Sequence, residues 1–493
     1  MKQLLLGIDV GTQGVRIIIS DSAGTVLAQY SATFPFKLSA RISQDAVEQD
    51  PNTWWECVCE CITGVLQALS KNERNCSPQS IICLSVTSTS GTVVLLDDKG
   101  DPIHPAIMYN DRRSASYAGI CNELGADVAD SLGYSFSASF GLPKMIWFER
   151  EHPEWMGENF RWIHATDFII GKLVGDFQYT DETNALKSGY DLLTGKWPGY
   201  IEKLGLEGQL PKVIQSGTCI GNVCSMAAAR TGLSTNTQVI AGMTDGCASQ
   251  IAAGAVHPGD WNSTIGTTLV IKGVTDRLYI DLQKRIYSHK HPMGYWMPGG
   301  ASNTGGEALE IQFGRDKYES LNNAVNPNEP SGLLCYPLQR TGERFPFHHS
   351  LAKGFEQGMQ RDEAHRYAGF LEGIGYLERL SFDLLDEMGV PNKQKIYVSG
   401  GAAKSSVWLQ IRANILNTPL YKPRVPEAAM GMCIVAASQT IFSNIQEAVD
   451  SMVKIETVVE PSQDSYVRFD EQYAAFKTQL VKRGYLKTKD DQK

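Results

Sequence analysis

Apolar positions open the chain in two short runs, Leu4-Leu5-Leu6 with Ile8 and Val10, then Val15 with Ile17-Ile18-Ile19, separated by Gly11-Thr12-Gln13-Gly14. Short buried runs bounded by turn residues predict two strands joined as a hairpin. A third strand over 25–30 is expected to pair back after the Asp21-Ser22-Ala23-Gly24 turn. The period then changes. Trp54, Val58, Ile62, Val65 and Leu66 recur every three to four residues behind Pro51, which predicts a helix over 52–69. Residues 80–86 and 93–96 read as further buried strands, and strands alternating with helices give an α/β class.

The second half repeats this pattern. Residues 239–245 form a strand ending in an acid, and 268–272 resume as a strand after a glycine turn, as 15–19 did. Such weak duplication predicts two domains of related fold. The expected divisions are 1–241, 242–460 and a C-terminal helix with charged tail over 461–493 that packs back on the first domain, the tail from 486 onward fraying. A long amphipathic helix over 363–388, with Tyr367, Phe370, Ile374, Leu377 and Leu380 on one face, is expected to cover the second sheet.

At 493 residues the chain exceeds one ordinary core, and 42% hydrophobic with 20% charged residues is a globular composition. A net charge of -9 argues against nucleic acid or an anionic membrane as partner. The opening apolar run is stopped by Gly7 and Asp9, short of a secretory core, and no run reaches transmembrane length. Eleven cysteines without a Cys-x-x-Cys pair point to reduced thiols and a cytoplasmic protein. His289 and His291 would need further ligands to make a metal site.

The chemistry concentrates at the first hairpin, where Asp9 and Thr12 share a tip. Gly11 is expected to take backbone angles closed to other residues and to let an anion approach the amides, with Asp9 holding a hydrated divalent cation. An Asp-x-Gly-Thr turn alone also suits an ordinary hairpin. Three further elements follow: Gly242-Met243-Thr244-Asp245-Gly246, Thr264-Ile265-Gly266-Thr267-Thr268, and Ser399-Gly400-Gly401-Ala402-Ala403-Lys404-Ser405 leading to Trp408. With these four in this order the chain resembles the FGGY-type carbohydrate kinases of the actin, heat-shock-70 and hexokinase superfamily, from Leu4 to about Ala437.

The resemblance implies two actin-like, ribonuclease H-like ATPase domains facing each other across a catalytic cleft, an ATP- and Mg²⁺-dependent phosphotransfer, and sugar or polyol and ATP/ADP as partners. A homodimer is left open. Asp245 matches the catalytic base, the alternative being a helix N-cap, and Asp9 and Asp245 match the metal carboxylates. Gly11, Thr12, Gln13, Gly266 and Thr267 match phosphate contacts. Gly400, Gly401, Ala402, Ser405 and Trp408 match the adenosine site, with Ala402 where the family usually has a third glycine and Asn414 where it usually has Asp. The Tyr336-Pro337-Leu338 and Gly342-Glu343-Arg344-Phe345-Pro346 signature shapes the cleft.

The sugar contacts carried over are Ser90, Gly91, Asn110, Asp111, Arg113 and Asp245. Ser90-Gly91 stands where similar glycerol kinases show Arg-Glu and xylulose kinases Met-His, so a roomier pocket with one hydroxyl is expected. Asp111 suits paired sugar hydroxyls, with Arg113 bracing it. The substrate expected is a small ketose, ribulose first. Xylulose, glycerol or another polyol, an ATP-driven switch of the actin or heat-shock-70 type, and a silent sugar-binding relative are the alternatives.

Overall fold

The computed structural model of the protein describes residues 2–35, 45–73, 76–156, 159–391 and 393–487. Of the charged tail expected to fray, 488–493 lie outside the described residues. The chain forms two compact units. The first comprises Met1–Ala252, His289–Trp296 and Val425–Val453; the second comprises Ala253–Ser288, Met297–Arg424 and Lys454–Lys493.

In the first unit, strands β1 (Leu4–Val10), β2 (Gly14–Asp21), β3 (Val26–Thr33), β4 (Ile81–Ser88), β5 (Cys219–Asn222) and β6 (Gln238–Thr244) form one sheet in the order β5-β6-β4-β1-β2-β3. The meander β1-β2-β3 is antiparallel, β1, β4 and β6 run parallel, and β5 is antiparallel to β6. Alternation fails in β1, where every Leu and Ile is buried, because helices cover both faces. The helix Pro51–Asn72 starts on an Asp50 cap that accepts the Asn52 N–H at 2.9 Å, and buries Trp54, Val58, Ile62 and Val65 as the spacing requires. On the other side lies Ala428–Ala437, whose ten residues are all buried. It approaches so closely that a Cβ at Gly7 would stand 1.8 Å from the Ala429 carbonyl oxygen.

The second unit repeats the connectivity. Strands β7 (Asp260–Ile265), β8 (Leu269–Gly273), β9 (Trp296–Ala301), β10 (Lys395–Ser399), β11 (Leu420–Pro423) and β12 (Ile455–Val459) run in the order β9-β8-β7-β10-β11-β12. Again an antiparallel hairpin leads into parallel strands, here β7, β10 and β11, closed by an antiparallel edge. The helix Glu363–Glu387 buries Tyr367, Phe370, Ile374, Leu377 and Leu380, and Trp261 of β7 meets Phe382 edge-on at 6.0 Å. Gly242 lies inside β6 of the first unit, where a Cβ would stand 1.8 Å from the Val86 carbonyl oxygen.

Among the described residues no disulfide joins the cysteines, no group of three or more His, Cys, Asp or Glu could hold a metal, and no helix is long and apolar enough to cross a membrane.

Candidate active site

Three parallel strands end together in the first unit and place its chemistry. Asp9 of β1 is in register with Thr87 of β4, and Thr87 with Met243 of β6. Asp9 and Asp245 therefore stand at the same end of the sheet's parallel strands, separated by a single strand. Burial, with the Asp245 charge added to it, pushes the Asp9 carboxyl up to about 7, against the opposing pull of Arg16. Two carboxylates of like charge held together form an oxygen donor set suited to a hard divalent cation, which would relieve that repulsion.

Asp245 is the first residue of the helix Asp245–Ala253 and accepts the Gly246 N–H at 2.7 Å. The preceding peptide is fixed as well: the Thr244 N–H donates to the Thr183 hydroxyl at 2.8 Å, and that hydroxyl donates to Asp181 at 2.6 Å. Thr183 and Asp181 were not singled out in the sequence. Their only sequence mark is a Thr two residues after an Asp at a helix entry.

The Gly11-Thr12-Gln13 turn is held from below. Buried Gln49 donates its amide to the Thr12 carbonyl at 3.0 Å and accepts the Trp54 indole N–H at 2.8 Å, while the Gln13 carbonyl accepts the Phe34 N–H at 2.8 Å. The glycine expectation shifts by three residues. Gly11 is not at positive φ, and a Cβ there would meet nothing nearer than the Gly14 carbonyl oxygen at 3.7 Å. Gly14 is the constrained position, with the Ala32 carbonyl oxygen 2.2 Å from a Cβ. The strand β3 crossing beside the turn causes this, and an anion could still approach Gly11.

Ser90 follows β4 at the same strand ends, and its enclosed hydroxyl has no hydrogen-bond partner among the described residues. Gly91 does not open the pocket as expected: it is buried at φ 86°, and a Cβ would stand 2.3 Å from the Ser139 carbonyl oxygen. Its lack of a side chain is taken up by close backbone approach. Asn110 is exposed, whereas Asp111 is wholly buried. Asp111 accepts the Val47 N–H at 2.8 Å, the Arg113 N–H at 3.0 Å and the Arg113 guanidinium at 2.8 and 3.0 Å. Burial works against the Arg113 charge, but Asp111 and Glu48 outweigh it and hold its pKa above the ordinary value. The bracing is therefore present, and Asp111 is spent on it.

Two lysines enter this region without having been singled out in the sequence. The Lys187 ammonium stands 3.5 Å from the Ser90 carbonyl oxygen. Lys144, fully buried, donates to the carbonyls of Ala138, Phe140 (3.1 Å) and Tyr109 (3.4 Å). Burial and the Lys187 charge bring Lys144 down to about 7.

In the second unit the parallel strands β7 and β10 end side by side, Thr264 opposite Ser399, with their hydroxyls 2.7 Å apart. Gly266 has open space where a Cβ would be, and Thr267 is exposed. Gly400, at φ 81°, leaves 2.5 Å between a Cβ and the Ile265 carbonyl oxygen, so only glycine lets the two turns touch. Gly401 is exposed, while the Ala402 methyl is buried in the core, which absorbs that departure from the three-glycine pattern. Ser405 caps the helix Ser406–Leu416 through the Trp408 N–H at 3.1 Å. Trp408 itself is a core residue, 4% exposed, with its indole N–H on the Leu371 carbonyl at 3.2 Å.

Both glycine-turn sets thus lie at the ends of parallel strands in sheets of matching connectivity, and the chain matches the model for the FGGY family of carbohydrate kinases, N-terminal domain, over residues 4–252 and the C-terminal domain over 262–440. The chain belongs to the FGGY family of carbohydrate kinases. It is a sugar phosphotransferase, and the family's donor is ATP. Among its relatives, a xylulose kinase of Staphylococcus epidermidis is 26% identical, covering 97% of this chain and 96% of that one. A gluconokinase of Bacillus licheniformis is also 26% identical, over 92% and 91% of the two chains. The crystal structure of xylulose kinase from Rhodospirillum rubrum superposes with a TM-score of 0.83 at 25% identity, covering 97% of this FGGY kinase and 99% of that chain.

Proposed function

We propose that this kinase transfers the ATP γ-phosphoryl group to a terminal hydroxyl of a ketopentose, ribulose first. The observation that carries this is the enclosed Ser90 hydroxyl, unpartnered among the described residues, at the strand ends shared with Asp9 and Asp245. An uncharged hydroxyl there suits a neutral sugar oxygen, and positions 90 and 91 hold Ser-Gly in place of an Arg-Glu or Met-His pair.

In this reading the first unit supplies the acceptor chemistry. Asp245 takes the proton of the attacking hydroxyl. Ser90, Gly91 and Asn110 line the sugar's place, and the Asp111–Arg113 pair stiffens the wall behind it. The Gly11, Thr12 and Gln13 turn contacts phosphate, as does the Gly266 and Thr267 turn of the second unit. Gly400, Gly401, Ala402 and Ser405 form the adenosine wall, supported from the core by Trp408. Asp9 and Asp245 would hold Mg²⁺, which when bound neutralises charge on the transferred group.

Catalytic efficiencies over ribulose, xylulose, gluconate, glycerol and pentitols test the substrate. Ribulose at the top is expected; xylulose at the top would replace it while leaving the kinase reading intact. ATP hydrolysis indifferent to every acceptor would point to an ATP-driven switch. Asp245→Asn should lower kcat on the order of a hundredfold or more without lowering the melting temperature.

A further inference from the structure

The Tyr336 to Pro346 signature buries one carboxylate in the second unit. Glu343 is 2% exposed, among Ser302, Thr304 and Tyr336, which are all at most 1% exposed. Its Oε1 accepts the N–H groups of Asn303 at 2.7 Å and Arg344 at 2.9 Å. Its Oε2 accepts the hydroxyls of Ser302 and Tyr336, each at 2.8 Å, and of Thr304 at 3.0 Å. Burial and the Glu343 charge push the Tyr336 phenol far above its ordinary range, so it remains a donor. The Asn303 amide closes the arrangement by donating to the Gly342 carbonyl at 2.9 Å.

What Glu343 grips is the loop over residues 302–306, and that loop lies flush against the Gly266 and Thr267 turn. The Leu269 N–H donates to the Thr304 carbonyl at 2.8 Å, and the Ser302 N–H to the Leu269 carbonyl at 2.9 Å. Further along, the Gly306 N–H donates to the Gly266 carbonyl at 2.8 Å and the Glu307 N–H to the Thr267 carbonyl at 3.1 Å. At Gly305 a Cβ would stand 2.4 Å from the Thr268 Cα, and at Gly306 2.6 Å from the Gly266 carbonyl oxygen. With these carbonyls drawn toward the loop, the turn is held in one shape. A buried carboxylate is tolerated only when donors surround it, and five do so here, three of them from the loop.

We propose that Glu343 is a positioning residue for phosphate recognition: through Ser302, Asn303 and Thr304 it clamps the loop that sets the Gly266 and Thr267 turn. This rests on the reading that the turn receives the nucleotide's phosphates. Glu343→Gln keeps the shape but replaces one acceptor oxygen by a donor, which disturbs the clamp without opening a cavity.

The test compares dissociation constants for ATP and adenosine, alongside thermal unfolding. Glu343→Gln should weaken ATP tenfold or more and leave adenosine within twofold, because adenosine has no phosphate to report on the turn. Thr304→Val, which removes one of the five contacts, should shift ATP in the same direction by severalfold and serves if the Glu343 variant does not fold. Equal weakening of both ligands, or a lowered melting temperature with unchanged ATP binding in either variant, overturns the proposal. Gly266→Val separates the two layers of the argument, since the protein leaves open space at that Cβ. If it weakens ATP while the Glu343 and Thr304 variants do not, only the clamp fails. If it leaves ATP binding unchanged, the phosphate reading of the turn and the clamp fall together.

Discussion

Ser90→Ala separates a hydroxyl kept for a ligand from one kept for the fold, because the two cases move stability and catalysis in different directions. Among the described residues the Ser90 Oγ is enclosed without a partner, so its removal deletes no intramolecular hydrogen bond. Leaving a buried polar atom unpaired costs about 1–3 kcal/mol, and an alanine avoids that cost. The melting temperature should hold or rise by a few degrees, where loss of a made bond would lower it. With the sugar bound the same hydroxyl is paired, and its loss should cost about 1–3 kcal/mol of transition-state stabilisation, or roughly 5- to 150-fold in kcat/KM. The assay pairs calorimetry of the free enzyme with kcat/KM for the best acceptor, keeping ATP saturating. A clear drop in melting temperature with unchanged kcat/KM would refute the reasoning, since Ser90 would then serve the fold alone.

Three further outcomes follow from the geometry. The Asp9 carboxyl is raised from 3.8 to about 7 in the fold, so its stabilising protonated form is complete below pH 4 and lost as pH rises through 7. In metal-free buffer Asp9→Asn should match wild type near pH 4 and exceed it by about 2–4 kcal/mol at pH 8, with Mg²⁺ narrowing the gap; a pH-independent difference in denaturant unfolding would refute this. Asn414 donates to the Pro327 carbonyl at 2.9 Å and to Asn328 at 3.2 Å, and accepts from Gln410 at 3.1 Å and the Ser462 N–H at 2.8 Å. Asn414→Asp removes both donations inside a buried site, so unfolding free energy should fall by about 2–4 kcal/mol at neutral pH, and an unchanged denaturation midpoint would count against it. Thr12→Val keeps the branched shape of the turn, so ATP affinity or kcat should change while the melting temperature does not; movement of the melting temperature alone would make Thr12 a strand residue only.

Local periodicity made most elements legible. The helix expected over 52–69 is Pro51–Asn72, the one over 363–388 is Glu363–Glu387, and the strand expected over 268–272 is Leu269–Gly273. These depend on side chains three or four positions apart, or alternating, which neighbouring sequence records directly. Asp9 and Asp245 could be placed at strand ends for the same reason. Helix Ala428–Ala437 shows where this stops. All ten of its residues are buried, so it has no polar face to say which sheet it covers, and only its close packing against Gly7 and, at its own Gly431, against Ala248 assigns it to the first unit.

The chain by itself determined the strands, the helices, the glycine turns and the candidate carboxylates, because each is written in residues close together along the backbone. Only the tertiary structure decided which of them meet. Parallel pairing through β4 brings Asp9 to within one strand of Asp245, and burial, with that proximity added to it, raises the Asp9 carboxyl in a way no local pattern encodes. Burial likewise set the meaning of Gly91, closed by Ser139, and of Asp111, spent on Arg113. Glu343 looked like part of a loop until the fold surrounded it with donors. Solvent exclusion and hydrogen-bond partners are properties of the assembled sheet and loops, and so they appear only once distant segments pack.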